Sequence, residues 1–496
     1  MTHCNILQGI ICPKPAWLNR IWLLPFGLAL GLGLFGARGC SAPTEFCPQE
    51  PIAAPQVPGE LGGGLAGFDS PYLGHHGSWD GMGGAARGES KNPDLDREVD
   101  MGLRWTFMPV YWSALEPDGP VDLSQSVPAS WLALDAFVVE AERRGLNILM
   151  QAPVMGGNAG SPPAWAGLRE PEKSAPLDMT AVADFAGKLA NRYRPGGTLA
   201  KIQGWGERYG VRAWELDNEP DLYRTHWDNQ AGDYAEFVTK VSQRIKEHDP
   251  LAVILTPAVS SSEDGATWTA QALDALALAG SPIYKAAGLP YSIGPASDVV
   301  SFHLYEGMDR KSIECVFRQV RSTFEAWEMV KGFEYARKQE YWHTEGNYDF
   351  FKRTSDERMA AWRWQFFSRA FAVGIRKVIV MDVTEAEQLA VKNFVGVLPN
   401  PFPMLNADAE VRVGQGKIWA YRHPDGSKPS DGQVWIVWAE NGSSGGKVTI
   451  PVQQATVTLI EVNGRHRQET PQNGWLEVTL AGDEDLAPPI LVVDRP

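Results

Sequence analysis

A (β/α)8 barrel followed by an antiparallel β-sandwich is the fold class this sequence predicts, on three observations. Between about residue 60 and residue 403, eight short apolar or β-branched runs alternate with longer segments of helical period, the pattern of a parallel α/β architecture. After Pro403 the texture changes to short β-rich runs separated by turns. The fourth and seventh of the eight runs each end in a glutamate, and strand ends are where such barrels carry reactive groups.

The chain has 496 residues, too many for a plain barrel of about 250, so two folded domains are expected. Lys14 and Arg20 precede an apolar run over 21–35, short for a membrane span and of the length of a signal-peptide core. The ending Ala37-Arg38-Gly39-Cys40 resembles a bacterial lipoprotein cleavage site. That resemblance implies Cys40 as a lipidated first residue anchoring the protein to a membrane; Arg38 is untypical of the motif and keeps plain signal-peptide cleavage or an uncleaved anchor open. Residues 1–40 are therefore read as an export signal and 41–59, with Pro43, Pro48, Pro51, Pro55 and Pro58, as an extended tether. The protein is expected outside the cytoplasm, in a bacterial periplasm, on the cell surface or secreted. Its five cysteines include no Cys-x-x-Cys pair, which argues against a structural zinc site. Cys47 and Cys315 are read as free thiols, with a disulfide between them as the alternative.

The barrel is assigned to 60–403. Its first strand is placed at 61–68, where glycines weaken the pattern, and a long insert at 75–100 follows. The second strand, 103–110, leads to a helix over 130–144 that Gly145 closes. The third strand, 146–152, precedes a helix over 179–192. The fourth strand occupies 211–220 and the helix after it 234–247. Strands at 252–256 and 298–305, a helix at 313–338, the seventh strand at 340–346, a helix at 356–373 and the eighth strand at 376–382 complete the barrel. The sandwich, 404–496, draws on runs at 417–421, 434–439, 447–452, 456–462, 475–480 and 490–493. Asn441-Gly442, Asn463-Gly464 and Asn473-Gly474 supply its tight turns. Trp419, Trp435 and Trp438 are read first as sandwich core, and as a carbohydrate-facing surface second.

Two glutamates carry the chemistry. Glu219 lies in Asn218-Glu219-Pro220, where the proline steers the residue before it into extended or turn backbone. Glu345 lies in Thr344-Glu345-Gly346, after an aromatic and β-branched run. Two carboxylates facing each other across a barrel mouth suit glycosidic bond cleavage, one protonating the leaving oxygen and the other attacking or activating water. In these two contexts the chain resembles the clan A glycoside hydrolases, most of all family 39 and neighbouring families 5, 30 and 51. The resemblance implies Glu219 as acid/base, Glu345 as nucleophile and Tyr305, in His303-Leu304-Tyr305, as the hydroxyl that holds the nucleophile. It further implies His303 facing the sugar, Asn218 bonding the sugar 2-hydroxyl, and Trp112 and Trp165 lining substrate subsites. The chain departs from the pattern at Phe107, where relatives commonly have arginine, at Asp217, where an aromatic is common, and at Met381-Asp382-Val383-Thr384, which lacks a strand-eight tryptophan.

The expected function is a retaining glycoside hydrolase cleaving β-glycosidic bonds of an extracellular or periplasmic oligo- or polysaccharide, with no metal or organic cofactor. Alternatives are a non-catalytic carbohydrate-binding barrel and a transglycosylase with the same residues. A metallohydrolase built on His75, His76 and His303 fails on ligand spacing. A net charge of −15 argues against nucleic acid, whose phosphates need a basic face.

Overall fold

The computed structural model describes residues 69–76, 93–155, 162–169, 174–221, 227, 231–260, 298–306, 312–331, 340–348, 355–381, 384–426, 428–483 and 486–496. The apolar run 21–35, Cys40, the tether and the 61–68 segment lie outside these residues. Among the described residues no helix is long and apolar enough to cross a membrane.

Eight strands form one parallel sheet: β1 (Tyr72–His76), β2 (Trp105–Tyr111), β3 (Asn147–Val154), β4 (Ala213–Glu215), β5 (Val253–Val259), β6 (Val299–His303), β7 (Glu340–Glu345) and β8 (Lys377–Met381). The first strand is thus 72–76 and not 61–68, and it takes in His75 and His76, which the expected insert had claimed. Hydrogen-bonded neighbours run β1-β8-β7-β6-β5-β4-β3-β2. The seam between β1 and β2 is a close backbone approach at Gly74, where a Cβ would sit 2.0 Å from the Trp105 carbonyl oxygen. Only glycine fits there. The lumen is packed with Leu73, Trp105, Phe107, Leu149, Leu255, Tyr305, Trp342 and Met381, so it is a core and not a pore. Phe107 belongs to that filling.

The outer layer comprises α1 (Pro93–Asp100), α2 (Trp112–Leu115), α3 (Ala129–Arg143), α4 (Met179–Tyr193), α5 (Thr198–Ile202), α6 (Ala231–His248), α7 (Ile313–Lys331), α8 (Asp356–Val373) and α9 (Glu385–Val397). Their ends follow local chemistry. Asp178 accepts from the Thr180 N–H to start α4, and Ser355 accepts from the Arg358 N–H to start α8, which stops at Gly374 in left-handed backbone. Thr384 and Glu387 form a reciprocal capping box on α9. Cys315, near the start of α7, is disulfide-bonded and not the free thiol expected; the other four cysteines lie outside the described residues.

The C-terminal β-sandwich pairs a three-stranded sheet, β10 (Arg412–Gln415), β13 (Ser443–Pro451) and β16 (Trp475–Asp483), with a six-stranded one. The latter is ordered β15 (His466–Glu469), β14 (Val457–Glu461), β17 (Ile490–Asp494), β12 (Gln433–Ala439), β11 (Ile418–Pro424) and β9 (Leu405–Asn406). Strands β10 and β15 had no counterpart in the sequence reading: the first is exposed throughout and the second, His-Arg-Gln-Glu, holds no apolar residue to set an alternation. Trp435 and Trp438 are buried, as core residues. Tyr421 and Trp438 stack at 5.3 Å between ring centroids and belong to the same apolar cluster as Phe371 and Phe394 of the barrel helices. Gln365 of α8 exchanges two 3.1 Å hydrogen bonds with Asn441 and donates to the Ala487 carbonyl at 2.7 Å. Barrel and sandwich are thereby joined along α8.

Candidate active site

The ladder of β4 ends at Glu215, earlier than the 211–220 expected, and the next six residues make a turn anchored on both flanks. Asp217 is wholly buried; its Oδ1 accepts from the Met155 N–H at 2.7 Å and its Oδ2 from the Trp227 indole. The aromatic expected at this position is replaced by a carboxylate that pins the end of β3. Gln151 of β3 donates through Nε2 to Asn218 Oδ1 at 3.1 Å and to Glu215 Oε2 at 3.0 Å. The Glu219 N–H donates to the Ala258 carbonyl at 3.1 Å, while the Asp221 carboxylate accepts from Ser260 N and Oγ at 2.8 and 2.7 Å. With these anchors the backbone adopts φ of 66° at Asp217 and 42° at Glu219. Pro220 disfavours right-handed helix before it, and of the extended or turn backbone expected there the chain takes a left-handed turn. Such φ values in non-glycine residues cost about 1–3 kcal/mol each and persist where the surroundings over-determine them.

Glu345 closes β7. A Cβ at Gly346 would lie 1.9 Å from the Leu304 carbonyl oxygen and 2.6 Å from His343 Nε2, which explains the glycine after the glutamate. A register shift between Phe302 and His303 sets His303 opposite Glu345 across the β6–β7 ladder. The Tyr305 hydroxyl donates to Glu345 Oε1 at 2.8 Å and lies 3.6 Å from Met381 Sδ, at the end of β8 where the families it resembles often have tryptophan.

His303 occupies a different place from the one expected. Its side chain is 1% exposed, and Nδ1 lies 3.1 Å from Glu219 Oε1 and 3.7 Å from Glu345 Oε2. It therefore bridges the two carboxylates and presents no open face to a sugar. One oxygen of each glutamate and a ring nitrogen of His303 lie within 4.8 Å of one another. Burial opposes charge on His303, but Glu345, then Glu219 and Glu215, override it and raise the imidazole to about 9. Burial also pushes Glu219 up; the His303 hydrogen bond opposes that, and the charges of Glu345 and Asp221 add to it. Behind them, burial and then the His303 charge hold His343 down to about 3, so that ring is neutral. The cation beside Glu345 is thus a histidine, while Phe107 fills the lumen where an arginine was expected.

The remaining expected residues divide. Trp112 has no exposed surface, donates from Nε1 to Glu116 Oε2 at 3.0 Å and stacks on Phe185. It is a core residue and is withdrawn as a substrate contact. Trp165 packs edge-on against Trp112 at 5.1 Å, donates to the Glu116 carbonyl at 2.7 Å and keeps part of its surface exposed. Asn218 commits its Oδ1 to Gln151. Sequence reasoning missed Gln151, Glu215 and Tyr111. Tyr111 ends β2, and burial, then the charges of Glu345 and Asp217, push its hydroxyl well above the ordinary value. Its one sequence signal was its place at a strand end, beside Trp112.

No sequence-family model matches the chain, and no curated protein matches it in sequence. Solved structures do match in fold. A family 39 β-xylosidase from Caulobacter crescentus aligns over 90% of this chain and 98% of its own, at 13% identity and a TM-score of 0.54. AbfB, a family 51 α-L-arabinofuranosidase from Bifidobacterium longum, aligns over 81% and 89% at 11% identity and a TM-score of 0.52. CelM2, a bifunctional glucanase-xylanase from a metagenome library, aligns over 81% and 94% at 14% identity and a TM-score of 0.50. The chain has the fold of the clan A glycoside hydrolases, a (β/α)8 barrel with a C-terminal β-sandwich.

Proposed function

We propose that this protein is a retaining glycoside hydrolase acting on β-linked oligo- or polysaccharides outside the cytoplasm. The observation that carries the reading is the spacing of Glu219 and Glu345, whose facing oxygens lie within 4.8 Å. Retaining enzymes hold their carboxyl groups about 5–5.5 Å apart, whereas inverting ones need about 6.5–9.5 Å to admit a water. Glu219, its proton retained by burial and by the neighbouring charge of Glu345, donates to the leaving oxygen as Glu345 attacks the anomeric carbon. Glu219, now a carboxylate, then takes a proton from the water that releases the sugar. Tyr305 and His303 orient and balance Glu345. The Asn218 amide group, held through its oxygen by Gln151, is assigned to the sugar 2-hydroxyl, and the exposed part of Trp165 to a subsite wall.

Export belongs to the same proposal. It is motivated by the 21–35 run and supported by the disulfide at Cys315, since such bonds persist in oxidising compartments. Mass spectrometry of the mature N terminus decides between acylated Cys40 and cleavage elsewhere.

Turnover of aryl β-glycosides and a polysaccharide panel by wild type, Glu219→Ala and Glu345→Ala tests the reaction. Glu219→Ala should lose about 10²- to 10⁴-fold with poor leaving groups and least with activated aryl ones. With azide it should yield a β-glycosyl azide, whereas Glu345→Ala should yield the α-anomer. An inverted product from wild type would end the retaining assignment. Absence of turnover, with some polysaccharide bound equally by all three proteins, would establish a carbohydrate-binding barrel instead.

A further inference from the structure

Between the apolar filling of the barrel and the facing glutamates lies a buried polar layer that takes no part in the chemistry. Leu149, Ala213, Val299 and Trp342 belong to the lumen cluster. Two residues further along the same strands, on the same face and nearer the mouth, stand Gln151, Glu215, Ser301 and Thr344, all buried. Buried polar groups are costly unless they are paired, and here the pairing runs in one direction. Gln151 and Glu215 are partners in the β3–β4 ladder, and the Gln151 amide nitrogen donates to Glu215 Oε2 at 3.0 Å and to Asn218 Oδ1 at 3.1 Å. Both of its protons are thereby committed. Ser301 accepts at Oγ from the Ala258 N–H at 3.1 Å, which leaves its own proton to give, and with Thr344 it stands beside Glu215 as a donor. Burial raises the pKa of Glu215, while the His303 charge and then the Thr344, Ser301 and Gln151 donors lower it. An amide that gives its nitrogen protons to a carboxylate cannot turn over without setting its oxygen against that carboxylate. Glu215 thus fixes the face of Gln151, and Gln151 fixes the face of Asn218.

We propose that Gln151 is a positioning residue: by holding the Asn218 carbonyl it makes the amide NH2 the group that Asn218 turns to the cleft, so the site takes sugars whose C2 substituent accepts a hydrogen bond and refuses those bearing a protonated 2-amino group. The part concerning the sugar rests on the glycosidase reading. A hydroxyl oxygen at C2 accepts from Asn218 Nδ2–H. An ammonium at C2 is a donor only and would set its protons against those of the amide. A site built to bond one substituent rejects the analogue that leaves its own polar group unpaired. Asn218 is partly exposed and its flanking residues are anchored, Asp217 by the Met155 N–H and Glu219 through its own N–H to Ala258. The backbone is therefore held from both sides, and the amide face is the one freedom that Gln151 removes.

Neutron diffraction from deuterated crystals of the wild-type protein reads the two amides directly. Deuterons on the Gln151 nitrogen aimed at Glu215 and at Asn218 Oδ1, with Asn218 Nδ2 toward the cleft, are expected. An Asn218 nitrogen facing a Gln151 oxygen overturns the proposal, whether or not any variant folds. The kinetic test compares aryl β-glycosides carrying hydroxyl, hydrogen or amino at C2, in wild type and in Gln151→Leu, which removes the donor and keeps most of the bulk. In the variant kcat/KM for the 2-hydroxy substrate should fall roughly tenfold, the worth of one hydrogen bond. The 2-deoxy substrate should react about as in wild type. The 2-amino substrate should gain on the 2-hydroxy one, because Asn218 is then free to turn its oxygen outward. Equal losses on all three would make Gln151 a merely structural residue and overturn the proposal. If wild type turns over no glycoside, the glycosidase reading and the sugar preference fall together, while the neutron map still decides how Gln151 holds Asn218.

Discussion

A carboxylic acid that must hold its proton near neutral pH has to be kept from water and placed beside negative charge, and Glu219 meets both conditions. Activity should therefore fall as pH rises through its raised pKa, because the acid form is the donor. Glu345→Gln removes the neighbouring charge, so the Glu219 carboxyl, followed by ¹³C NMR, should titrate at lower pH than in wild type; an unchanged titration would show that the two groups do not interact. Tyr305→Phe deletes the 2.8 Å hydrogen bond to Glu345. A bond to a charged group is worth about 1.5–3 kcal/mol, so kcat/KM should drop roughly 10- to 150-fold with the circular dichroism unchanged. At this scale the sequence was legible where a residue's neighbours in the chain are also its neighbours in space: Asn218, Glu219 and Pro220, or Glu345 and Gly346. It was illegible where function depends on a ring's depth. The family resemblance implied His303 and Trp112 as substrate contacts, but nothing in one chain reports that 1% or less of each is exposed. Glu215 went unread for the same reason, since a glutamate in an apolar run reads equally as an exposed edge.

Among the elements, α8, bounded by the Ser355 cap and Gly374, was placed to the residue at 356–373, whereas the fourth strand, read over 211–220 between Gly210 and the Pro220 break, proved to pair only over 213–215. The first strand was misplaced because Tyr-Leu-Gly-His-His carries its glycine for contact with β2 and not for a turn. Gly74→Ala should accordingly cost at least about 3 kcal/mol in denaturant unfolding, the upper range for overpacking. Gly346→Ala should leave the protein folded but displace Glu345 and remove activity. The barrel floor offers a pH test. Lys377 is 3% exposed, donates to the Ser70 carbonyl at 2.7 Å and lies 5.1 Å from the ring centroids of both Trp105 and Trp342. Burial, with Arg376 adding and Glu340 and Asp69 opposing, holds it down to about 7 from 10.5. The unfolded chain binds that proton more tightly, so this group makes stability rise with pH between about 7 and 10.5. Lys377→Met should flatten that part of the stability profile, measured by thermal melting across the range.

For the molecule as a whole, the barrel and the sandwich share one apolar cluster across Tyr421, Trp438 and Phe371. Calorimetry should show their melting coupled in a single transition, and Trp438→Ala, a large-to-small change costing about 3–5 kcal/mol, should lower stability without creating a second one. Two separate transitions would mean that the domains fold independently. The α8 helix that makes this junction has a second attachment. Arg363, on the same helix as Gln365, is wholly buried and reaches the Met381 carbonyl, Glu387 and, at 3.4 Å, Asn347, two residues beyond Glu345. The β domain thus holds the strand end that carries Glu345 as a clamp holds a workpiece. Cutting it away would unseat the strand that carries Glu345, the proposed nucleophile, and a truncated barrel that failed to turn over sugar would be reporting lost alignment, with no need for the missing domain ever to have touched a carbohydrate.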